Sequence, residues 1–165
     1  MSRTKQDTGF RLNPLWQFMR NTYGMEEAFK CFGPYQGASI IPKIIDRNTV
    51  EVSMPLVPLN TNYVGTHFGG SLYAMCDPFF MFILIENLGA GYLVWDKSAC
   101  IEFKRPGTGT VRALFHVPDA EIQEVRHLVD QNRKTIRNYE VEIRNQNNEV
   151  VAVVYKELYI RKQGD

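Results

Sequence analysis

Residues 60–77 contain an amide, two adjacent glycines and one carboxylate whose spacing suits chemistry at a carbonyl. Asn62 stands in a polar loop, Gly69 and Gly70 lie where that loop becomes helix, and Asp77 follows about two turns into a very apolar helix. Glycines lacking side chains let a ligand reach backbone N–H groups at the positive end of a helix dipole. A carboxylate in apolar surroundings is costly to bury unless paired, so such residues often have a task. Together these groups can polarise a carbonyl and activate a water. Each also has a plainer reading. Asn62 suits a turn, the glycines suit tight loop packing, and Asp77 suits a polar subunit seam. His67 reads as a loop or interface residue, since a histidine can satisfy itself with backbone. Cys76 reads as core, and Ser71 lacks the strand–elbow–helix setting of a serine nucleophile.

The elements that must position these residues are legible from caps and periodicity. Asn13-Pro14 is a helix start, and Leu15, Trp16, Phe18 and Met19 supply an apolar face to a helical region reaching about Lys30, weakened at Gly24. Strands are expected at 38–46 and 49–57, where Val50, Val52 and Met54 alternate with Glu51 and Ser53. The stretch 71–88 predicts one long buried helix, with Pro78 as a possible kink. It is apolar enough to suggest a membrane span, but Asp77, Pro78 and Glu86 interrupt it, which fits a core helix wrapped by other structure. Strands follow at 92–104 and 110–117, then an amphipathic helix opened by Pro118-Asp119 with Ile122, Val125 and Val129 on one face. A last hairpin spans 135–144 and 149–161. This order predicts an α+β domain, an antiparallel sheet with a helix on its concave face.

Composition narrows the function classes. The chain has 165 residues, 44% hydrophobic, which fits one domain with a real core. A net charge of +1 gives no reason to expect nucleic acid. Three dispersed cysteines, Cys31, Cys76 and Cys100, form neither a disulfide framework nor a metal spacing and point to a reducing cytoplasm. The first seven residues lack the apolar run of a signal peptide. The apolar segment 150–160 reads as an edge strand that a second subunit would cover.

From about Gly37 onward the chain resembles the hotdog fold, in particular the small acyl-CoA thioesterases of the phenylacetate-type branch and their thioesterase-like relatives. The carriers are Asn62, Gly69-Gly70 at the head of the central helix, and Asp77 two turns later. The resemblance implies one hotdog domain over 1–165 with residues 1–36 as an N-terminal helical extension. It implies hydrolysis of acyl-CoA to free acid and coenzyme A, with no cofactor beyond the coenzyme A of the substrate and no metal. Asp77 would be general base or nucleophile, Asn62 would position water or thioester, and the Gly69 N–H would polarise the carbonyl. Phe68 stands where that branch has histidine, with His67 one place earlier and Gly70 beside it. Asp96 occupies the place of a serine or threonine near the third strand, and Lys134 that of a basic residue meeting coenzyme A phosphates. Phe79, Phe80, Phe82 and Trp95 would wall the acyl pocket, though core packing is their default. The assembly implied is a homodimer or dimer of dimers, with Asn and Asp of one site on different subunits. The alternative on this scaffold is a non-catalytic acyl-CoA or lipid-binding protein.

Overall fold

The computed structural model describes residues 13–163; the expectation about the first seven residues lies outside them. Asn13 caps the first helix, α1 (Pro14–Tyr23), its Oδ1 accepting the Leu15 N–H at 2.9 Å. Gly24, at a φ of 87°, ends α1 where a side chain would be strained, and α2 (Met25–Lys30) begins at once. A third short helix, α3 (Gly33–Ala38), occupies the region where the first strand was expected to start. That strand, β1 (Ile41–Asp46), is therefore shorter than expected and pairs with β2 (Thr49–Met54) through a turn in which Asp46 Oδ1 accepts the Asn48 N–H at 2.8 Å.

The expected single helix over 71–88 is instead two, α4 (Gly69–Ala74) and α5 (Phe79–Leu88), joined by residues 75–78. Pro78 has no N–H to donate and its ring disfavours helical backbone at Asp77, so the helix stops before it and restarts after it. The Asp77–Pro78 peptide is cis. Asp77 thus stands on the joint rather than inside a continuous helix. The stretch Gly69–Leu88 has the length and composition to cross a membrane, but Leu72, Met75, Phe79, Phe80, Ile83 and Leu84 are buried in the core.

The remaining elements are β3 (Tyr92–Phe103), β4 (Val111–His116), α6 (Asp119–Asn132), β5 (Lys134–Arg144) and β6 (Val150–Lys162). Six antiparallel strands form one sheet in the order β1-β2-β4-β5-β6-β3. The sheet wraps α4 and α5. Val50, Val52 and Met54 of β2, Val111, Ala113 and Phe115 of β4, and Val141 and Ile143 of β5 meet them. Phe115 lies 5.2 Å from the Phe79 ring and 5.1 Å from that of Phe80, centroid to centroid. Ile122, Val125 and Val129 of α6 are buried, as their spacing predicted.

The edges fall elsewhere than expected. β6 lies between β5 and β3, so the strand read as an edge is internal, and β1 and β3 are the edges. At β1, the Ile44 N–H donates to Glu26 Oε1 of α2 at 2.6 Å, so the helical extension covers that edge. β3 carries a bulge between Asp96 and Ser98. Val94 and Asp96 precede it on the inner face opposite Ile160 and Leu158; beyond it Ala99 and Ile101 take that face opposite Lys156 and Val154.

Candidate active site

The joint between α4 and α5 places Asp77 against a buried lysine. Lys156 sits in the inward series of β6, Ala152, Val154, Lys156, Leu158, Ile160, and its side chain is 1% exposed. Its Nζ lies 2.8 Å from Asp77 Oδ1 and 3.0 Å from Asp96 Oδ2. The Tyr73 hydroxyl is 3.4 Å away, and Nζ stands 5.3 Å from the Tyr73 ring centroid. One cation therefore joins two carboxylates from two elements. The Tyr35 hydroxyl of α3 donates to the Asp77 backbone carbonyl, fixing the joint from the other side.

The electrostatics divide the two acids. Burial pushes the Asp96 carboxyl up, and its hydrogen bond to Asp77 adds to this, to about 6. Asp96 Oδ1 is buried without a hydrogen-bond partner, which disfavours the ionised carboxylate. Burial would also raise Asp77, but the hydrogen bonds from Asp96 and Lys156 hold it below the usual carboxylate range. Burial lowers Lys156, yet the two carboxylates outweigh that and keep it charged. The result is an ionised, oriented Asp77 with one oxygen on lysine, its side chain 45% exposed. Such a carboxylate can take a proton from water or attack an electrophile, and Asp96 can hold or release the proton between them.

The other expected residues lie as follows. Asn62 shapes its own loop: Nδ2 donates to Thr66 Oγ1 at 2.8 Å and to the His67 carbonyl at 3.2 Å, while Oδ1 accepts the N–H groups of Val64 and Thr66 at 3.1 and 3.0 Å. His67 is 2% exposed, its Nε2 2.9 Å from the Gly109 carbonyl, and burial lowers its pKa. Its ring is turned into the loop packing. Phe68 is exposed at the start of α4. A Cβ on Gly70 would come within 2.4 Å of the Phe68 ring, and one on Gly69 within 2.9 Å of the Phe103 ring. Both glycines thus let an aromatic ring lie on the backbone, and their N–H groups, being first in a helix, have no carbonyl one turn back. Lys134 opens β5 directly opposite Arg161 of β6 and shares a small cleft with Arg133, Arg161 and Lys162. Among the aromatic residues, Phe79 and Phe80 are buried in the core, Phe82 is half-buried on the side of the N-terminal helices, and Trp95 stacks on Tyr159 at 5.4 Å.

Lys156 is the site residue that the sequence reading passed over. Its signal is a single lysine at alternate positions of a strand whose other inward residues are apolar, a placement that demands buried counter-charges. Cys76 is buried, and burial pushes its thiol up, so it is inert beside Asp77.

Known structures share this architecture. A protein of unknown function and probable thioesterase from Pseudomonas aeruginosa superposes with a TM-score of 0.78 at 17% identity, covering 84% of this chain and 93% of that one. A thioesterase of Haemophilus influenzae gives 0.63 at 15% identity, covering 84% and 89%. The PaaI protein of the Escherichia coli phenylacetic acid degradation operon gives 0.56 at 18%, covering 91% and 94%. At these identities the likeness is one of fold, and that fold is the hotdog. Curated protein sequences give no match. The model of a domain of unknown function, DUF4442, matches residues 25–160, and the chain belongs to that family.

Proposed function

We infer that the protein is a thioesterase that hydrolyses acyl-CoA to free acid and coenzyme A. The observation that carries this reading is the carboxylate of Asp77, held ionised by buried Lys156 on the joint that follows α4. Asp77 activates water or attacks the thioester carbon directly. The Gly69 N–H polarises the carbonyl oxygen, with Gly70 and Phe68 bordering that approach. When Asp96 ionises, Asp77 loses a hydrogen bond and gains a like charge beside it, and so becomes the stronger base.

The cationic cleft at Arg133, Lys134, Arg161 and Lys162 supports a phosphate-bearing substrate. Arg161 lies five residues along β6 from Lys156, a run of about 17 Å in a strand. Among the described residues no strand pairs with the outer edge of β3, which supports a dimer, in which Asn62 and the His67 loop of one subunit approach Asp77 of the other. A non-catalytic acyl-CoA or lipid-binding protein of the same fold is the second reading. It is favoured by one observation: His67 is buried and faces Gly109, leaving Phe68 exposed at the head of α4.

The test is release of free thiol from a panel of acyl-CoAs, with wild type beside Asp77→Ala. Turnover in the wild type that drops at least about a hundredfold in the variant is expected for loss of a general base or nucleophile. Equal turnover in both would remove Asp77 from the mechanism. Absence of turnover with thermal stabilisation by acyl-CoA would favour the binding protein.

A further inference from the structure

A groove of about 390 Å³ separates the N-terminal helices from α5. Its walls are Trp16 of α1, Met25 and Phe29 of α2, and Met81, Phe82 and Ile85 of α5, and Asp77 stands on its lining. The aromatic wall is continuous: Trp16 lies 5.3 Å from Phe29, and Phe29 5.3 Å from Phe82. The two methionines give the remainder an adaptable surface suited to flexible apolar groups. Arg20 of α1 and Glu86 of α5 are paired at 2.7 Å on the same lining, so charge there is satisfied and the interior has no strong polar demand. At about 30 Å³ per water-sized group, 390 Å³ has room for about a dozen heavy atoms.

We propose that this groove seats the apolar acyl chain of the substrate, with the reacting carbonyl at Asp77 and the chain running between α1–α2 and α5 of the same subunit. The occupant is argued from the presence of Asp77 on the lining. Any thioester whose carbonyl meets Asp77 must place its acyl tail somewhere, and this apolar space adjoins that residue. The proposal rests on the reading of Asp77 as the group that acts on a thioester. It makes the helical extension the determinant of chain length, with medium-length acyl groups preferred and Ile85 and Met81 as specificity-determining residues.

The experiment measures kcat/KM for acetyl- to hexadecanoyl-CoA in wild type, Ile85→Phe and Met81→Ala, each checked for folding by its melting curve. A parallel binding assay follows Trp16 fluorescence in a Trp95→Phe background, which leaves Trp16 as the single tryptophan. Each added methylene should raise wild-type specificity by about fourfold until the groove is full. Ile85→Phe should lower the ratio of decanoyl to butyryl turnover by about tenfold or more, and Met81→Ala should move the optimum to longer chains. Turnover with the same length profile in all three proteins overturns the groove while leaving the thioesterase reading in place. If no acyl-CoA is hydrolysed but decanoyl-CoA quenches Trp16 and Ile85→Phe weakens that quenching, the groove stands and the thioesterase reading falls. Absence of both turnover and quenching defeats the two together. A change of oligomeric state in Ile85→Phe without any effect on acyl-CoA would assign the groove to a second copy and overturn the proposal.

Discussion

Lys156 holds two carboxylates at once, and its removal separates their charges from any counter-ion. Lys156→Met is expected to cost about 2 kcal/mol at pH 8, a figure kept low because Asp77 stays partly in solvent. The cost should shrink by pH 5, where Asp96 is protonated in the fold; urea denaturation at the two pH values checks both. Asp96 supplies its own pH dependence. Its ordinary value is 3.8, and the fold raises it to about 6. Between those values the folded protein keeps a proton that the unfolded chain has released, so stability falls as pH rises through this window and levels above it. Asp96→Asn is expected to melt level with wild type near pH 4 and above it at pH 7.5. In the proposed hydrolysis, wild-type kcat/KM rises through about pH 6 as Asp96 ionises, and Asp96→Asn flattens that limb. A limb that survives in the variant would assign it to another group. At this scale the sequence exposed Asp77 and Asp96, through an acid in an apolar run and a position in a family pattern. It hid their partner, because the three residues meet only once β3 pairs with β6 and the helix joint packs on the sheet.

Aromatic contacts pack the elements that position the site against the sheet. Phe115 of β4 is fully buried and touches both Phe79 and Phe80 in the first turn of α5. Phe115→Ala is expected to cost about 4 kcal/mol, measured by urea denaturation. Because that turn follows the joint directly, activity should fall further than the unfolded fraction explains. Strand and helix identities were readable here: period-two alternation in β2 and β4 and a three-four spacing in α6 match their burial. Two features were not. The helix break came from Pro78 acting through backbone geometry on Asp77, where the apolar run argued for continuity. The β3 bulge reverses which residues face inward, so no single alternation runs through 92–103 and no periodicity could assign Asp96 its face.

For the whole molecule, the two sheet edges are treated differently. β1 is covered by Glu26 and α2, while β3 presents twelve residues with Lys97, Ser98, Ala99 and Cys100 all exposed. If subunits join along β3, a charge placed there opposes pairing, as natural edge strands use lysine to do. In the proposed dimer, Cys100→Arg is expected to give a monomer by analytical ultracentrifugation and to lose the proposed hydrolysis with it. A variant that stays dimeric would place the subunit contact elsewhere. The segment before Gly37 lies outside the resemblance, and Phe29 of α2 and Tyr35 of α3 belong to the core. The Tyr35 hydroxyl, on α3, donates to the carbonyl of Asp77 on the joint. α2, α3 and the joint therefore form one cooperative unit. In native-state hydrogen exchange, the amides of α2 and of the start of α5 should open with a common free energy.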